Sequence, residues 1–530
     1  MIYGRLVGSM DETSKKLVER KIKTAEQLSK IIGPRPRQKK VIMCHGTFDV
    51  VHPGHVRHLL YAKTKGDILI ASLTADEHIM KANSRPYVPE DLRAINLAAL
   101  EVVDYVIIDR RPTPLYNLEL IKPDYFAKGY EYSSGGINPK TQEELAVLET
   151  YGGEIIFTPG DIVYSSSALI ELAPPKIATE KLLSLMTAED ITFSNLYATL
   201  NKFEGIKVHV VGDTIVDSYT YCDMIGGMTK TPTMSVLFQK KVDYSGGAAI
   251  IAKHLKAAGA DVTFSTVLGE DAFKNYVLDD LEKAGVNILP IVDETRPTTN
   301  KNAIIVKGYR LLKVDTLDNR SISDKTVKRL KEQISSIKSD AVVFSDFRHG
   351  VFNRHTIPEL AAAIPEGAYR VADSQVASRW GNILEFEGFD LITPNEREAR
   401  FALGDQDSVV RPLALELYRR SKCKTLILKL GERGTITYRS SREPGDYRAF
   451  FAIDSFVEQV VDAVGAGDAM LAYATLAMIA TKNEVVASIL GCMAAGVECE
   501  HDGNWPVMSE AVKKKIHRVE THTLYRYDGE

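Results

Sequence analysis

The stretch C-H-G-T-F-D-V-V-H-P-G-H, residues 44–55, contains residue types that bind and transfer phosphate. An apolar run precedes it and Pro53 opens a helix-like segment, so the stretch predicts a turn from a buried strand into a helix. Backbone N–H groups at such a helix start attract phosphate. His52 and His55 lie three residues apart at this helix start. Their imidazole N–H groups can therefore donate to the same anion.

Two other interpretations of these histidines are weaker. A histidine on its own is usually a satisfied structural residue, whereas here two of them frame Pro-Gly shortly after G-T-F-D. A zinc site made of His52, His55 and His58 is disfavoured, because the segment has no glutamate at the spacing of zinc proteases and His58 points further round the helix. A phosphate site is the better prediction.

A second chemical motif, V-V-D-A-V-G-A-G-D-A-M, spans residues 460–470. It places a turn of small residues before a long apolar helix, so that the N–H groups of Ala466, Gly467 and Asp468 would form an anion hole. Asp468 lies where a hydroxyl nucleophile needs a base. The third glycine of a dinucleotide fingerprint is missing, and the chain has no G-x-x-x-x-G-K-[ST] motif. The first absence argues against a dehydrogenase, and the second excludes a P-loop kinase.

Alternating strands and helices must position both motifs. The runs VIMCH (41–45), DILIAS (67–72), DYVIID (104–109) and EIIFT (154–158) are separated by helix-like segments, which predicts a parallel sheet. Apolar residues at helical spacing over 12–32 predict a helix that ends at Gly33-Pro34.

A second series of strands begins with KVHVVGD and continues through DVTFSTV, NAIIV, AVVFSD, YRVAD, DLITP and TLILKL. The chain is therefore divided into five parts: a helical extension (1–39), a first α/β domain (40–172), a helical linker (173–205), a larger α/β domain (206–515) and a tail (516–530).

The amino-acid composition argues against several classes of binding partner. A net charge of −4 gives no basic field of the kind that holds nucleic acid. The five cysteines include no C-x-x-C pair, which argues against a disulfide framework or a zinc ribbon and suits a reducing cytosol. The start of the chain lacks a signal-peptide pattern, and the best apolar run, 469–480, is too short to span a bilayer. We expect a cytoplasmic protein without nucleic-acid or membrane partners.

The signature G-T-F-D-x-x-H-x-G-H resembles that of the cytidylyltransferase-like nucleotidyltransferases, and the resemblance covers roughly 40–172. The segments S-R-P-Y-V-P-E-D-L-R (84–93) and D-I-V-Y-S-S-S-A-L-I (161–170) extend it. It implies attack by a phosphorylated substrate on the α-phosphorus of CTP, ATP or GTP, with Mg²⁺, releasing pyrophosphate. The residues implied are His52, His55 and Lys81 for catalysis, and Gly46, Thr47, Phe48, Arg93, Ser165, Ser166 and Ser167 for nucleotide binding.

Residues 206–515 resemble the ribokinase-like carbohydrate kinases. The motifs V-V-G-D-T-I-V-D (210–217), S-G-G-A-A (245–249), T-P-N-E-R-E (393–398) and G-A-G-D arrive in that family's order. The resemblance implies Asp468 as the catalytic base, an anion hole of Gly465, Ala466 and Gly467, Mg²⁺ organised through water by Asn395 and Glu398, and sugar binding by Asp213, Asp217, Gly246 and Gly247. Val464 and Ile250 replace a threonine and an asparagine that are usual in the family.

Both domains in one chain resemble the bifunctional enzymes of ADP-heptose synthesis, whose usual order is kinase first. S-D-F-R-H-G (345–350) and Y-R-L-L-K-V-D (309–315) resemble that subgroup. We therefore expect a Rossmann-like sheet followed by a ribokinase-like α/β sandwich, in a homo-oligomeric enzyme. It would use ATP to phosphorylate a sugar such as a heptose phosphate and would couple the 1-phosphate to a nucleotide. The alternatives are a transferase for a polyol or glycerol phosphate, and a kinase half that acts on an unrelated substrate or senses a metabolite.

Overall fold

The computed structural model divides the chain into two structural units, Met1–Ala188 and Glu189–Glu530. The residues whose structure is described are 16, 20–79, 86–129, 139–158, 178–226, 234–375, 382–440, 442, 449–501 and 503–523. The division falls inside the predicted linker, whose described part consists mainly of the helices Ala178–Ala188 and Phe193–Asn201. The first helix belongs to the first unit and the second helix to the second unit.

The first unit contains a parallel five-stranded sheet in the order β3-β2-β1-β4-β5. The strands are β1 (Val41–Gly46), β2 (Ile68–Thr74), β3 (Tyr105–Asp109), β4 (Tyr125–Gly129) and β5 (Glu154–Thr158). The Rossmann-like sheet is confirmed, although β4 was not among the predicted strands. The strand order reverses between β1 and β4, and ligands of such sheets bind at the carboxyl ends of the strands near that reversal.

Five helices of the first unit cover the two faces of this sheet with apolar side chains. They are α1 (Ala25–Ile32), α2 (Pro53–Lys63), α3 (Glu90–Ala98), α4 (Leu115–Ile121) and α5 (Pro139–Glu149). The described part of the unit also contains α6 (Ala178–Ala188) and a 3₁₀ turn at Asp76–His78.

The prediction of one continuous helix over 12–32 is wrong at residues 22–24. Ile22 forms a β-bridge with Val106, and the side chain of Thr24 caps a new helix by accepting a hydrogen bond from the N–H of Gln27. The capping box satisfies N–H groups that a longer helix would have bonded internally. Leu28 is fully buried in the core. This segment is therefore part of the first unit's fold rather than an extension to it.

The second unit is built on two sheets. The larger has nine strands in the order β10-β9-β6-β13-β14-β15-β16-β17-β18 and is parallel up to β16. Its strands are β6 (Lys207–Gly212), β9 (Asp261–Leu268), β10 (Asn287–Val292), β13 (Ala341–Asp346), β14 (Tyr369–Ser374), β15 (Leu391–Ile392), β16 (Thr425–Lys429), β17 (Thr435–Arg439) and β18 (Phe450–Ile453).

The smaller sheet has the order β12-β11-β7-β8. Its strands are β7 (Thr214–Gly226), β8 (Ser235–Gly247), β11 (Thr299–Val306) and β12 (Tyr309–Thr316). The sequence predicted β11 alone among these four, and placed it in the main series of strands. Strands β8 and β12 are largely exposed, so their residues lack the apolar run or the apolar-polar alternation that marks a half-buried strand.

The helices of the second unit complete an α/β fold and confirm the predicted class. They are α7 (Phe193–Asn201), α8 (Ala248–Ala257), α9 (Ala272–Lys283), α10 (Asp324–Ser336), α11 (Thr356–Ala362), α12 (Glu396–Leu403), α13 (Val410–Ser421), α14 (Ala466–Thr481), α15 (Glu484–Cys499) and α16 (Ser509–Thr523), with 3₁₀ turns at Ile383–Glu385 and Gly431–Arg433. Helix α14 is buried along most of its length, as predicted for its apolar run. Among the described residues, no helix combines the length and apolarity needed to cross a membrane.

The tail predicted over 516–530 is not a separate segment at its start. Residues 516–523 continue α16, and Ile516 is fully buried. The hydroxyl of Tyr197 on α7 donates to Glu520 over 3.0 Å. Apolar burial and this hydrogen bond therefore tie the start of the predicted tail to the second unit. All five cysteines are buried free thiols, as expected from their spacing.

Candidate functional sites

The two predicted histidines meet at the start of α2. His52 is the N-cap residue, and its Nδ1 accepts a hydrogen bond from the N–H of Gly54 over 3.1 Å. The ring centres of His52 and His55 are 4.0 Å apart. Burial lowers the pKa of His52, so its imidazole is neutral at pH 7 and carries its proton on Nε2. That N–H is the donor His52 can offer to an anion.

The loop between β1 and α2 is held by the buried carboxylate of Asp49. Its oxygens accept the backbone N–H groups of Tyr87 and Val88 over 2.8 and 2.7 Å. Phe48, one of the predicted nucleotide-binding residues, takes a left-handed backbone with φ of 48° and packs its ring 5.3 Å from that of His55. Gly46 ends β1, and Thr47 follows it at the start of the same loop. The G-T-F-D part of the motif thus shapes the loop from which the histidines project.

Arg93 is not where its predicted role requires it. The side chain has no exposed surface. Its guanidinium donates to the carbonyls of Val88, Thr47 and Thr74 and forms an ion pair of 2.6 Å with Asp76. A buried guanidinium cannot contact a triphosphate, so we correct its assignment: Arg93 supports the loop that contains Thr47.

A polar cluster that the sequence did not reveal lies at the carboxyl ends of β1, β2 and β3. His45 Nδ1 lies 3.0 Å from the hydroxyl of Ser72, and Nε2 lies 3.3 Å from that of Thr74. Burial, together with nearby Lys128, lowers the pKa of His45 to about 4, so this imidazole is neutral. Burial raises the pKa of Asp109, 3.9 Å away, to about 6. The four predicted residues Lys81, Ser165, Ser166 and Ser167 lie outside the described residues.

In the second unit, most of the predicted residues line one cleft of about 760 Å³. The predicted residues at the cleft are Asp217, Gly247, Asn395, Glu398, Gly465, Ala466, Gly467 and Asp468. The cleft also has polar residues that were not predicted, among them Lys301, Lys313, Asp373, Lys429 and Asn504.

The loop before α14 has the geometry of an anion hole. Gly465 caps the helix with φ of 86°, and a Cβ there would lie 2.8 Å from an oxygen of Glu498, so only glycine fits. A Cβ at Gly467 would lie 3.2 Å from the ammonium nitrogen of Lys429. The start of a 16-residue helix and an ammonium group therefore face the same space.

The charged side chains in the cleft shift one another's pKa values. Lys429 forms an ion pair of 3.0 Å with Asp373, whose carboxylate also accepts the hydroxyl of Thr393. Burial alone would lower the pKa of Lys429, but Asp373, Glu398 and Asp468 together raise it, so the ammonium stays charged. Burial, followed by repulsion from Asp373, raises the pKa of Asp468 to about 8. Its carboxyl group is therefore able to exchange a proton near neutral pH.

Asn395 and Glu398 form a capping box at the start of α12. The backbone N–H of each residue donates to the side chain of the other, over 2.7 and 2.8 Å. Burial and nearby Asp373 raise the pKa of Glu398 to about 7. Among the described residues, no three His, Cys, Asp or Glu side chains form a metal-binding group. The crowded carboxylates fit a divalent cation held mainly by nucleotide phosphates and water, which is how Mg²⁺ is usually bound.

The two aspartates of the D-T-I-V-D segment have different environments. Asp217 lines the cleft and accepts the side-chain N–H of Asn504 over 3.1 Å. A Cβ at Gly246 would lie 2.1 Å from Asp217, so this glycine makes room for the carboxylate. Asp213 instead accepts the backbone N–H groups of Phe347, His349 and Val351 over 3.0 to 3.3 Å. We correct its assignment, because Asp213 holds that loop and does not line the cleft.

The small sheet contributes positive charge to the cleft. Lys301 on β11 and Lys313 on β12 line it. Arg310 on β12 lies 3.3 Å from Asp462, in the loop before the anion hole. Burial raises the pKa of Asp217, and these three cations oppose that rise. An anionic ligand beside Asp217 would therefore meet several positive side chains.

Comparison with known proteins agrees with the division of the chain into two structural units. Residues 206–506, more than half of the chain, match the model of the pfkB family carbohydrate kinases. The chain belongs to this family. Residues 43–172 match the cytidylyltransferase-like model, so in this pfkB chain the transferase-like part comes first. Phosphofructokinase-2 from Escherichia coli shares the fold of the pfkB part, with a TM-score of 0.50 and 17% identity, covering 59% of this chain and 99% of that chain.

Two similar curated proteins are each named bifunctional protein HldE. The one from Desulfatibacillum aliphaticivorans is 27% identical over 321 residues, which cover 59% of this chain and 64% of the relative. The one from Geobacter metallireducens is 39% identical over 138 residues, 26% of this chain and 27% of the relative. The pfkB chain thus spans less than two thirds of the length of the curated relatives it matches.

Proposed function

We propose that this chain is a bifunctional enzyme that makes a nucleotide-activated sugar. Its pfkB unit would use ATP to phosphorylate a sugar phosphate, and its first unit would join the resulting sugar 1-phosphate to a nucleotide. The observation that carries the proposal is the single cleft in which Asp468 and the anion-hole glycines accompany Asp217. The matches to HldE proteins and the motifs of residues 309–315 and 345–350 favour a heptose phosphate.

The groups that line the cleft define the kinase step that we propose. A sugar hydroxyl gives its proton to the carboxylate of Asp468 while its oxygen bonds to the γ-phosphorus of ATP, and the bond from that phosphorus to the ADP oxygen breaks. N–H groups at the start of α14 and the ammonium of Lys429 stabilise the charge on the transferred group. Mg²⁺ bound with ATP would neutralise its phosphates, held through water by Asn395 and Glu398.

A phosphate on the sugar would bind the cations of the small sheet. Lys313→Gln is expected to raise the KM for a phosphorylated sugar about 10-fold or more, because a charge-assisted hydrogen bond contributes about 1.5–3 kcal/mol. The kcat should change little. Lys307→Gln is the control, because Lys307 lies in the turn of the same hairpin and outside the cleft lining. Equal KM values for the two variants would argue against a substrate phosphate at this position.

The transferase step needs charge stabilisation rather than a protein base. A sugar 1-phosphate is largely ionised at neutral pH, since its second pKa is about 6. Its oxygen attacks the α-phosphorus of a nucleoside triphosphate and pyrophosphate leaves. His52 and His55 lie at the start of α2, where their N–H groups would stabilise the charge on the reacting phosphates.

The transferase is tested by pyrophosphate release with Mg²⁺, CTP, ATP or GTP, and a panel of sugar 1-phosphates that includes heptose 1-phosphate. We expect release with one nucleotide and one sugar, and a loss of about 100-fold or more in His55→Ala, as for removal of one oxyanion donor. His58→Ala, on the same helix, serves as the matched control. No release with any sugar from folded protein, but release with glycerol phosphate, would favour the polyol alternative.

We also propose that the enzyme is a homo-oligomer. The small sheet exposes large apolar side chains, among them Leu237, Phe238, Leu312 and Val314. Exposed apolar patches of this kind mark surfaces of association.

A further inference from the structure

Two buried oxygen atoms beside the anion hole receive no hydrogen bond. They are Oε2 of Glu498 on α15 and Oδ1 of Asn504 in the loop that follows. Glu498 has no exposed surface, and Asn504 is only 7% exposed. A buried acceptor without a donor is costly, and a buried charged acceptor more so. This pair of atoms therefore requires an explanation.

Both side chains lie against the first residue of the anion hole. A Cβ built on Gly465 would lie 2.8 Å from Oε1 of Glu498 and 3.3 Å from Oδ1 of Asn504. The second polar atom of each side chain does have a hydrogen-bond partner. Oε1 of Glu498 accepts the backbone N–H of Trp505 over 3.1 Å, and Nδ2 of Asn504 donates to Asp217 over 3.1 Å. Asn504 thus lies beside Gly465, as Glu498 does, and donates to the aspartate that would bind the sugar.

We propose that Glu498 is kept as a neutral carboxylic acid whose O–H donates to Oδ1 of Asn504. One proton then satisfies both acceptors. It also fixes Asn504 in the orientation that donates to Asp217, so Glu498 is a positioning residue for the sugar site. This role rests on the proposed kinase function, whereas the protonation of Glu498 can be measured without it.

The surroundings of Glu498 favour its neutral form. Burial raises its pKa to about 8. Asp468 on α14 and Asp462 in the preceding loop contribute to this rise, whereas the hydrogen bond from the backbone N–H of Trp505 opposes it. On its own helix the neighbour is Cys499, a thiol whose pKa is itself raised by burial. Glu498 is thus protonated at neutral pH and ionises as the pH rises through about 8, which removes the donor and puts negative charge beside the anion hole.

The first test is infrared spectroscopy of the full-length protein at pH 7, as the difference between wild type and Glu498→Gln. We expect a C=O stretch of a protonated carboxyl group that is absent from the variant and is shifted by Asn504→Ala. Glu484→Gln is the matched control, because Glu484 is a buried carboxyl on the same helix. Only carboxylate bands for Glu498 at pH 7 would overturn the proposal, whether or not the kinase is active.

The second test is the pH dependence of the KM for the sugar. In the wild type this KM should rise above about pH 8, whereas Glu498→Gln, which keeps an N–H donor but cannot ionise, should hold it constant. Glu498→Met lacks the donor and should raise the KM about 5-fold to 10-fold at every pH, the equivalent of one neutral hydrogen bond. An unchanged alkaline rise in Glu498→Gln, or a wild-type KM in Glu498→Met, would overturn the positioning role. A protonated Glu498 in a folded protein without kinase activity would instead contradict the proposed function.

Discussion

Replacing Asp468 with asparagine is expected to lower the kcat of sugar phosphorylation by about 100-fold to 10,000-fold, the range for loss of a general base. Asparagine has the same shape but cannot accept the hydroxyl proton. The KM values for ATP and the sugar should change little, since Lys429, the anion-hole glycines and Asp217 remain. Steady-state kinetics with a coupled ADP assay measures both constants.

The same substitution should not destabilise the protein. Burial and repulsion from Asp373 raise the pKa of Asp468 to about 8, so the carboxylate form costs free energy in the folded state. A neutral amide removes that cost, and the melting temperature should be unchanged or higher. Asp407→Asn is the control, because Asp407 is an exposed carboxylate shortly after α12 and should change neither activity nor stability.

The pH profile gives an independent check on Asp468. A base acts when it is deprotonated, and the pKa of about 8 means that a minority of free enzyme is in this form at pH 7. The kcat/KM should therefore rise as the pH increases towards 8. A wild-type turnover by Asp468→Asn, or a kcat/KM that is flat from pH 6 to 8, would contradict the assignment.

The sequence located the parts of both sites that depend on local backbone. The histidines at the start of α2 lie close together in the chain, as do the glycines at the start of α14, and the backbone that such motifs adopt is fixed over a few residues. Lys429 and Asp373 could not be found in this way. They are 56 residues apart and meet only because β16 and β14 lie in the same sheet, separated by β15. The only signal that the sequence offered for these two residues was that each is a charged residue near the end of an otherwise apolar strand.

Burial explains the two charged residues whose roles the sequence assigned incorrectly. Asp213 and Arg93 stand inside motifs that resemble binding segments, and their residue types suit phosphate or sugar. In the fold, Asp213 is 3% exposed and Arg93 is 0% exposed. Each one bonds backbone groups of a neighbouring loop. A motif gives the type and spacing of a charged residue, whereas the packing of distant segments decides whether its charge faces a ligand or the core.

Replacing Arg93 with methionine is expected to destabilise the first unit by about 3–5 kcal/mol, the usual cost of removing one partner of a buried ion pair. The change leaves Asp76 without its cation and three carbonyls without their donor. Urea unfolding followed by far-ultraviolet circular dichroism measures the effect. Arg111→Met is the matched control, because Arg111 is exposed and stacks on Tyr116.

The tryptophans provide an internal control for the Arg93 experiment. Trp505 belongs to the second unit, and Trp380 falls within residues 189–530 but outside the described residues. Tryptophan fluorescence should therefore report an unchanged transition while circular dichroism shows earlier unfolding of the first unit. A nucleotide-binding role for Arg93 predicts the opposite pattern, in which the KM for the nucleoside triphosphate rises and the unfolding curves stay as in wild type. Because a buried guanidinium must first be exposed to reach a nucleotide, we expect the loss of stability in Arg93→Met to be present without any ligand.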